Sequence, residues 1–455
     1  MLLSKFPEIL VIILILGLSF QSFQDNLFKK IIENNEGENI MISPFSIYQV
    51  LSLLSNGAKG DTRKEILKTL YPDKEINENL LNQINSNINQ IISNIESESE
   101  QSSENLYCPF DSEECKITFQ DVNGIFTKKG IELTKEFTDK CKNYNTSYFE
   151  LISAEQVNNF CSENTNGKID KIINEIDPKT VLMLINAIYF KGTWMEKFSA
   201  SNTKKMDFVN YDKTKIKVDT MYQKYHSSLY YEDNKVQIIS LPYISNTLDF
   251  KMIIILPNSK KYSSPLDYLT KEKISLNEIY SKLKSKPNIH LYLPKFKYEF
   301  ESDFTEILKD LGINLAFSEV ADFSNLCQNE DTNIGKIFQK TYINLNENGT
   351  EAAAVTASMM YATSEEEEEY FMNVDHSFIY IIQSNKIEDI DNKYLMPFIG
   401  IVNELKESGE KGDNDDKPSN EKEEEDDGPI KLSGGNYINV LIIYLGLIIS
   451  LFIHF

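Results

Sequence analysis

The run Asn346-Glu-Asn-Gly-Thr-Glu-Ala-Ala-Ala-Val-Thr-Ala-Ser-Met-Met-Tyr-Ala-Thr-Ser364, followed at once by Glu365–Glu369, has two readings. As a helix it exploits alanine, the best helix former. As a strand it places Thr350, Ala352, Ala354 and Thr356 on one face and the charge of Glu351 on the other. Such a strand enters a packed core without burying a charge. The stretch by itself supports either reading, and the surrounding chain decides between them.

Upstream, short apolar runs alternate with helical patterns. Residues Asn26–Asn34 read as a helix, Asn39–Ile42 as a strand, and Ser43-Pro44 as a helix start with proline in the first turn. Ile47–Leu54 continues that helix, which Gly57 and Gly60 end, and Asp61 opens the next. Leu80, Leu81, Ile84, Ile88, Ile91 and Ile92 predict an amphipathic helix. The Glu-Ser repeats beyond it predict an exposed loop over Glu96–Glu114. Ile117–Phe126, Thr180–Phe190, Lys235–Pro242, Leu248–Leu256, Ile289–Leu293, Ser377–Gln383 and Phe398–Val402 read as strands. Val157–Ile176 reads as mostly helical with a break at Asn166-Gly167, and Phe304–Leu311 as a helix closed by Gly312. The fold class expected is mixed α/β with several largely antiparallel sheets.

Both ends differ from this middle. Ile9–Leu18 is apolar but shorter than the ~20 residues a membrane span needs, so residues 1–22 read as a secretory signal, with the small Gly17 and Ser19 fitting cleavage after Ser19 and an uncleaved anchor as the alternative. Ile438–Phe455 is almost wholly apolar. Small residues before it fit glycolipid attachment at Ser433 or Gly434, with a single transmembrane helix as the alternative. Between fold and tail, residues 406–435 read as a disordered acidic stalk. Lys406–Gly428 carries 11 acidic and 4 basic side chains, a local net charge of −7. The expected order is thus signal (1–22), folded domain (23–405), stalk (406–435) and anchor or lipid signal (436–455), with location at the cell surface or outside the cell.

The net charge of −23 argues against a nucleic-acid partner. Of five cysteines, Cys108 and Cys115 bracket a short loop and form the best local disulfide pair, and the odd number leaves at least one thiol over. No Cys-x-x-Cys occurs, the four histidines are scattered, and no metal or cofactor is expected. Nucleophile-elbow, zinc-protease, phosphate-loop and dinucleotide motifs are all missing, so an enzyme is not expected. Asp375-His376-Ser377 contains triad residue types, but three adjacent residues cannot converge as a triad does. Asn145-Thr-Ser is the expected glycosylation site. Asn348-Gly-Thr is a second sequon, expected to be unused.

Taken in order, several segments resemble one family, the serpins. They begin with Asn39-x-x-x-Ser43-Pro44-Phe45-Ser46 and Gly57-Ala58-Lys59-Gly60. Leu184-Ile-Asn186-Ala-Ile-Tyr-Phe190-Lys-Gly192-Thr-Trp194 follows and is the most diagnostic. Leu241-Pro242-Tyr243, Leu293-Pro-Lys-Phe296, Ala321-Asp-Phe-Ser324 and Phe398-Ile-Gly400 complete the series. The resemblance implies three β-sheets, eight to nine helices and an exposed reactive loop, here 347–371. It also implies that the opening run is a strand held outside its sheet.

Residues Glu347, Gly349, Thr350, Glu351, Ala352, Ala353, Ala354, Val355 and Thr356 match the hinge of inhibitory members. Those members trap a protease by inserting the cleaved loop into the central sheet. The common register puts the scissile bond at Thr363–Ser364; a shift by one gives Ala362–Thr363, and an earlier cut would use Tyr361 or Met360. Small residues there imply an elastase-like serine protease, and Tyr361 or Met360 a chymotrypsin-like one. A cysteine protease, or a non-inhibitory binding role for a monomer at the surface, are the alternatives. Ser43, Ser46, Asn186 and Gln339 match the region where the sheet opens. The family commonly has histidine at the place of Gln339, ten residues before Gly349.

Overall fold

The computed structural model describes residues 23–100, 117–245, 248–274, 276–328, 332–350, 368–384 and 395–408. The signal, Cys108 and Cys115, the scissile-bond candidates Met360–Ser364, the hinge from Glu351 to Thr356, and the lipid-site candidates Ser433 and Gly434 lie outside them. No helix among the described residues is long and apolar enough to cross a membrane.

The helix 23–34 (α1) and strand β1 (Ile40–Ile42) lead into α2 (Pro44–Gly57). The Ser43 hydroxyl caps α2 by accepting from the Ser46 amide, and Pro44 sits where its missing N–H costs nothing. Nearly all of α2 is buried, which suits its apolar composition: it touches β4 (Leu182–Thr193) of one sheet and β15 (Leu395–Val402) of the other. The helices α3 (Gly60–Leu70) and α4 (Glu78–Glu100) follow. α4 runs through Glu100, so the Glu96–Glu100 part of the predicted loop is helical. Ile91 and Ile95 continue its apolar stripe, and the buried Glu98 carboxylate accepts from the Leu248 amide at 3.0 Å.

A six-stranded sheet has the order β10 (Phe296–Asp303), β11 (Lys336–Asn346), β12 (Gly349–Thr350), β4, β2 (Thr118–Thr127), β3 (Thr146–Glu150). The helix α5 (Lys135–Asn143) joins β2 to β3, and α6 (Ala154–Asn164) precedes β4. The predicted helix to Ile176 stops at α6. Asn158 replaces it: its side chain accepts from the Ile172 and Ile173 amides and donates to the Ile173 carbonyl, holding an irregular segment in place.

The remaining strands form a nine-stranded sheet that pivots on β6 (Lys215–Glu232). On one side β6 pairs with β7 (Val236–Pro242), and the ladder continues through β8 (Lys251–Pro257) and β14 (Phe378–Ser384) to β15 and β1. On the other it pairs with β5 (Lys204–Val209) and β9 (Lys284–Pro294), and β9 with β13 (Tyr370–Asn373). The architecture is mixed α/β with several sheets, two of these ladders sharing one long strand. Three short helices, α7 (Pro265–Glu272), α8 (Leu276–Ser281) and α9 (Thr305–Asp310), complete the described chain. Asp375-His376-Ser377 follows β13, where His376 bridges Asp375 Oδ1 (2.6 Å) and the Pro257 carbonyl (2.7 Å), and the Ser377 hydroxyl bonds the Asn403 carbonyl. The three side chains tie strands together and form no relay.

Candidate functional site: the seam between β4 and β11

β4 and β11 run parallel and pair directly from Met183↔Lys336 to Tyr189↔Tyr342. Beyond Tyr189 they part, and β12 stands between them. Gly349 pairs with Asn346 and Thr193, and Thr350 with Leu345 and Gly192. The predicted hinge therefore starts inside the sheet, folded back from β11 through a tight turn in which the Asn348 amide bonds Asn346 Oδ1 at 2.9 Å. Gly349 has φ +151°, and a Cβ there would stand 2.0 Å from the Gly192 carbonyl oxygen, so only glycine fits.

Aromatic packing encloses this end of the seam. Trp194, the chain's single tryptophan, stacks on Tyr243 with ring centroids 4.4 Å apart, and its Nε1–H donates to the Asn346 carbonyl at 3.1 Å. The Trp194 amide donates to Asn348 and the Phe198 amide to Glu347. The Thr350 side chain is 1% exposed and shares a 2.8 Å hydrogen bond with the Tyr243 hydroxyl. Glu347 accepts from the Thr203 hydroxyl at 2.7 Å and pairs with Lys295 at 3.1 Å. Burial pushes its carboxyl upward, but Thr203, the backbone and Lys295 outweigh that and hold it below the usual range.

The directly paired part of the seam is closed by polar groups. Gln339 and Asn186 are register partners across it, and Gln339 Nε2 donates to Asn186 Oδ1 at 2.8 Å. The same Gln339 amide brackets Ser43, accepting from its N–H at 2.8 Å and donating to its carbonyl at 3.1 Å. Ser46 makes no direct bond to Gln339. Its hydroxyl donates to Asp121 Oδ1 at 2.7 Å, and Asn186 Nδ2 donates to that same oxygen and to Asn123 Oδ1, each at 2.8 Å.

Asp121 is the residue that sequence reading passed over. It sits in β2, and burial pushes its carboxyl above the ordinary range despite the bonds from Ser46, Asn186 and Asn123. The one charged residue of β2, in register with Ile188, is the signal that marks it. Asn145, the expected glycosylation site, is exposed just after α5 with φ +47°.

The architecture, the seam and the order of its motifs decide the family. The family model described as Serpin (serine protease inhibitor) matches residues 19–391. This chain belongs to the serpins. It is 32% identical to the leukocyte elastase inhibitor of Xenopus laevis over 80% of this chain and 94% of that one. It is 30% identical to human Serpin B8 over the same shares. Among solved structures, the thermophilic serpin tengpin in its native state superposes with a TM-score of 0.72 at 26% identity, covering 85% of this chain and 93% of that one. Relatives of this serpin are thus named as protease inhibitors, and a protease is the class of partner they indicate.

Proposed function

We propose that this serpin is a single-use trap for a serine endopeptidase. The observation that carries the reading is the seating of Gly349 and Thr350 between β4 and β11. The loop's first residues already occupy the entrance to the seam it must fill. Beyond them the sequence continues Thr350's face with Ala352, Ala354, Thr356, Ser358 and Met360, and no proline lies between Gly349 and Thr363. Small, β-compatible side chains enter a sheet with little overpacking, and every residue keeps its N–H for the ladder.

In this reading the protease serine attacks the Thr363 carbonyl, Ser364 leaves with the free amine, and the acyl-enzyme forms. Release of the cut end lets the strand zip down the seam from Thr350. The bonds between β4 and β11 are exchanged for two ladders, one on each side of the new strand. Downhill insertion from a metastable start is the source of the trapping energy. The protein acts outside the cytosol as a monomer, tethered to the membrane by a C-terminal anchor, either a glycolipid that replaces the apolar tail or that tail as a helix, with the small residues near Thr363 favouring an elastase-like pocket.

The full chain is mixed with trypsin-, chymotrypsin- and elastase-like proteases. An SDS-resistant complex is expected with at least one, with mass spectrometry of the released peptide locating the cut at Thr363–Ser364. Cleavage without a complex and without a rise in heat stability overturns the trap and leaves a binding protein on a serpin scaffold.

A further inference from the structure

The six-stranded sheet ends in two edges of different kinds. At one, β10 carries Lys297, Glu299, Glu301 and Asp303 at alternate positions, charges of the kind that keep an edge from pairing with another chain. At the other, β3 reads Thr146-Ser-Tyr-Phe-Glu150, with no lysine or proline and its one charge at its end. Ser147 to Glu150 are all exposed to solvent. Tyr148 is 44% exposed and Ile152, just beyond the strand, 76%. The Leu151 amide and the Phe149 carbonyl both bond Thr127 of β2, so the odd-numbered residues face β2. Thr146, Tyr148 and Glu150 therefore turn their N–H and C=O groups outward. The sequon Asn145-Thr-Ser147 overlaps this strand, and Asn145 is exposed at its start.

We propose that the free edge of β3 pairs with β3 of a second copy of this chain, and that a glycan on Asn145 keeps the protein single by blocking that pairing. A two-fold axis makes such a contact self-complementary. Antiparallel pairing centred on Tyr148 sets Tyr148 against Tyr148 as a hydrogen-bonded pair, and Thr146 against Glu150. The Glu150 carbonyl already accepts from Gln156 Nε2 at 3.0 Å, and its second lone pair takes the Thr146 amide. The two Tyr148 rings form an aromatic cross-strand pair. The same arrangement brings the basic last turn of α5, Lys140 and Lys142, towards Glu150 and Glu155 of the second copy. Asn145 then falls opposite Leu151 of the second copy. Paired strands stand about 4.7–4.9 Å apart, which leaves no room there for a branched glycan. The guard rests on the reading that the chain enters the secretory pathway; the edge does not.

The full chain is expressed in cultured cells beside Ser147→Ala, which removes the sequon and leaves Asn145 in its left-handed conformation. Mass spectrometry reads the occupancy of Asn145, and analytical sedimentation reads association. No protease takes part, so a failed trap leaves both measurements standing. The parent is expected to be glycosylated at Asn145 and monomeric, and Ser147→Ala to form a dimer as its concentration rises. Adding Tyr148→Lys removes the aromatic pair and sets two lysines opposite each other, and should weaken that dimer about tenfold or more. Tyr148→Cys in the Ser147→Ala background tests the register. A hydrogen-bonded pair has Cα atoms about 5.5 Å apart, within disulfide reach, so mild oxidation should link the two copies. Glu150→Cys, which the register sets away from its own copy, should not link above the background of the parent's cysteines. Ser147→Ala that stays monomeric at every concentration, or equal linking at the two positions, overturns the edge. An unmodified Asn145 in a monomeric parent overturns edge and guard together. A dimeric parent, glycosylated or not, overturns the guard alone.

Discussion

The two ends of the β4–β11 seam are built from different materials. At the Thr193 end the strands are held apart by Gly349–Thr350, and the surroundings are aromatic: Trp194, Tyr243 and Phe198. At the Asn186 end the strands pair directly, and Gln339, Asn186, Asp121, Ser43 and Ser46 form one buried hydrogen-bonded cluster. Apolar burial is non-directional and admits a strand of small residues with modest adjustment. A buried polar cluster is directional, and opening it leaves several groups unpaired at once. The first end is thus an entrance and the second a latch, and the barrier to insertion is expected at the latch.

Variants can break or sharpen this contrast. The largest effect is expected from Thr350→Arg. Thr350 is buried against Tyr243, and an unpaired charge there costs several kcal/mol. The variant should be cleaved by the target protease yet yield little or no SDS-resistant complex; undiminished complex would refute the assignment of the inserting face. Next is Gln339→Leu, which fills the space but leaves the Ser43 amide and carbonyl and Asn186 Oδ1 without their partner. A loss of about 1–3 kcal/mol is expected for each buried group left unpaired, seen as a lower unfolding midpoint and faster spontaneous loop insertion on native gels. A Gln339→Leu protein as slow to convert as the parent would move the barrier away from the latch.

Asp121→Asn tests the latch through pH. The folded-state pKa of Asp121 is raised, so the native fold penalises the anion. That penalty is absent below the unfolded-state pKa, grows as pH rises towards the folded-state value and is complete above it. The variant should therefore gain stability over the parent as pH rises from the ordinary carboxylate range, and lose that advantage in acid. An advantage that is constant with pH would show that Asp121 does not titrate against the fold. The smallest effect is expected at the entrance. Tyr243→Phe removes one hydroxyl bond to Thr350 and keeps the ring stacked on Trp194, for about 0.5–1.5 kcal/mol. It should release β12 more readily, measured as faster amide exchange at Thr350. Exchange unchanged from the parent would mean that backbone pairing alone seats the strand.

What was legible in sequence and what was not divides along similar lines. Apolar strands such as β4, β7 and β14 declare themselves because both their faces are buried. The sequence alternation of Ile216, Val218, Thr220 and Tyr222 in β6 carries the same information more faintly, diluted by lysines and tyrosines on a half-covered surface. α4 outran its predicted end because a tertiary bond, Leu248 to Glu98, holds its last turns. The segment after α6 left the helix because one side chain, Asn158, supplied the backbone with other partners.

The sequence by itself determined the family, through motifs read in order, and the alternation of small residues from Thr350 that suits a strand entering a sheet. These are one-dimensional properties, set by spacing along the chain. Only the tertiary structure decided that Gly349 and Thr350 already sit between β4 and β11. It alone brought Asp121 beneath Ser46 and Asn186. Each of those joins residues far apart in sequence. Burial, unlike periodicity, exists only once the chain has folded.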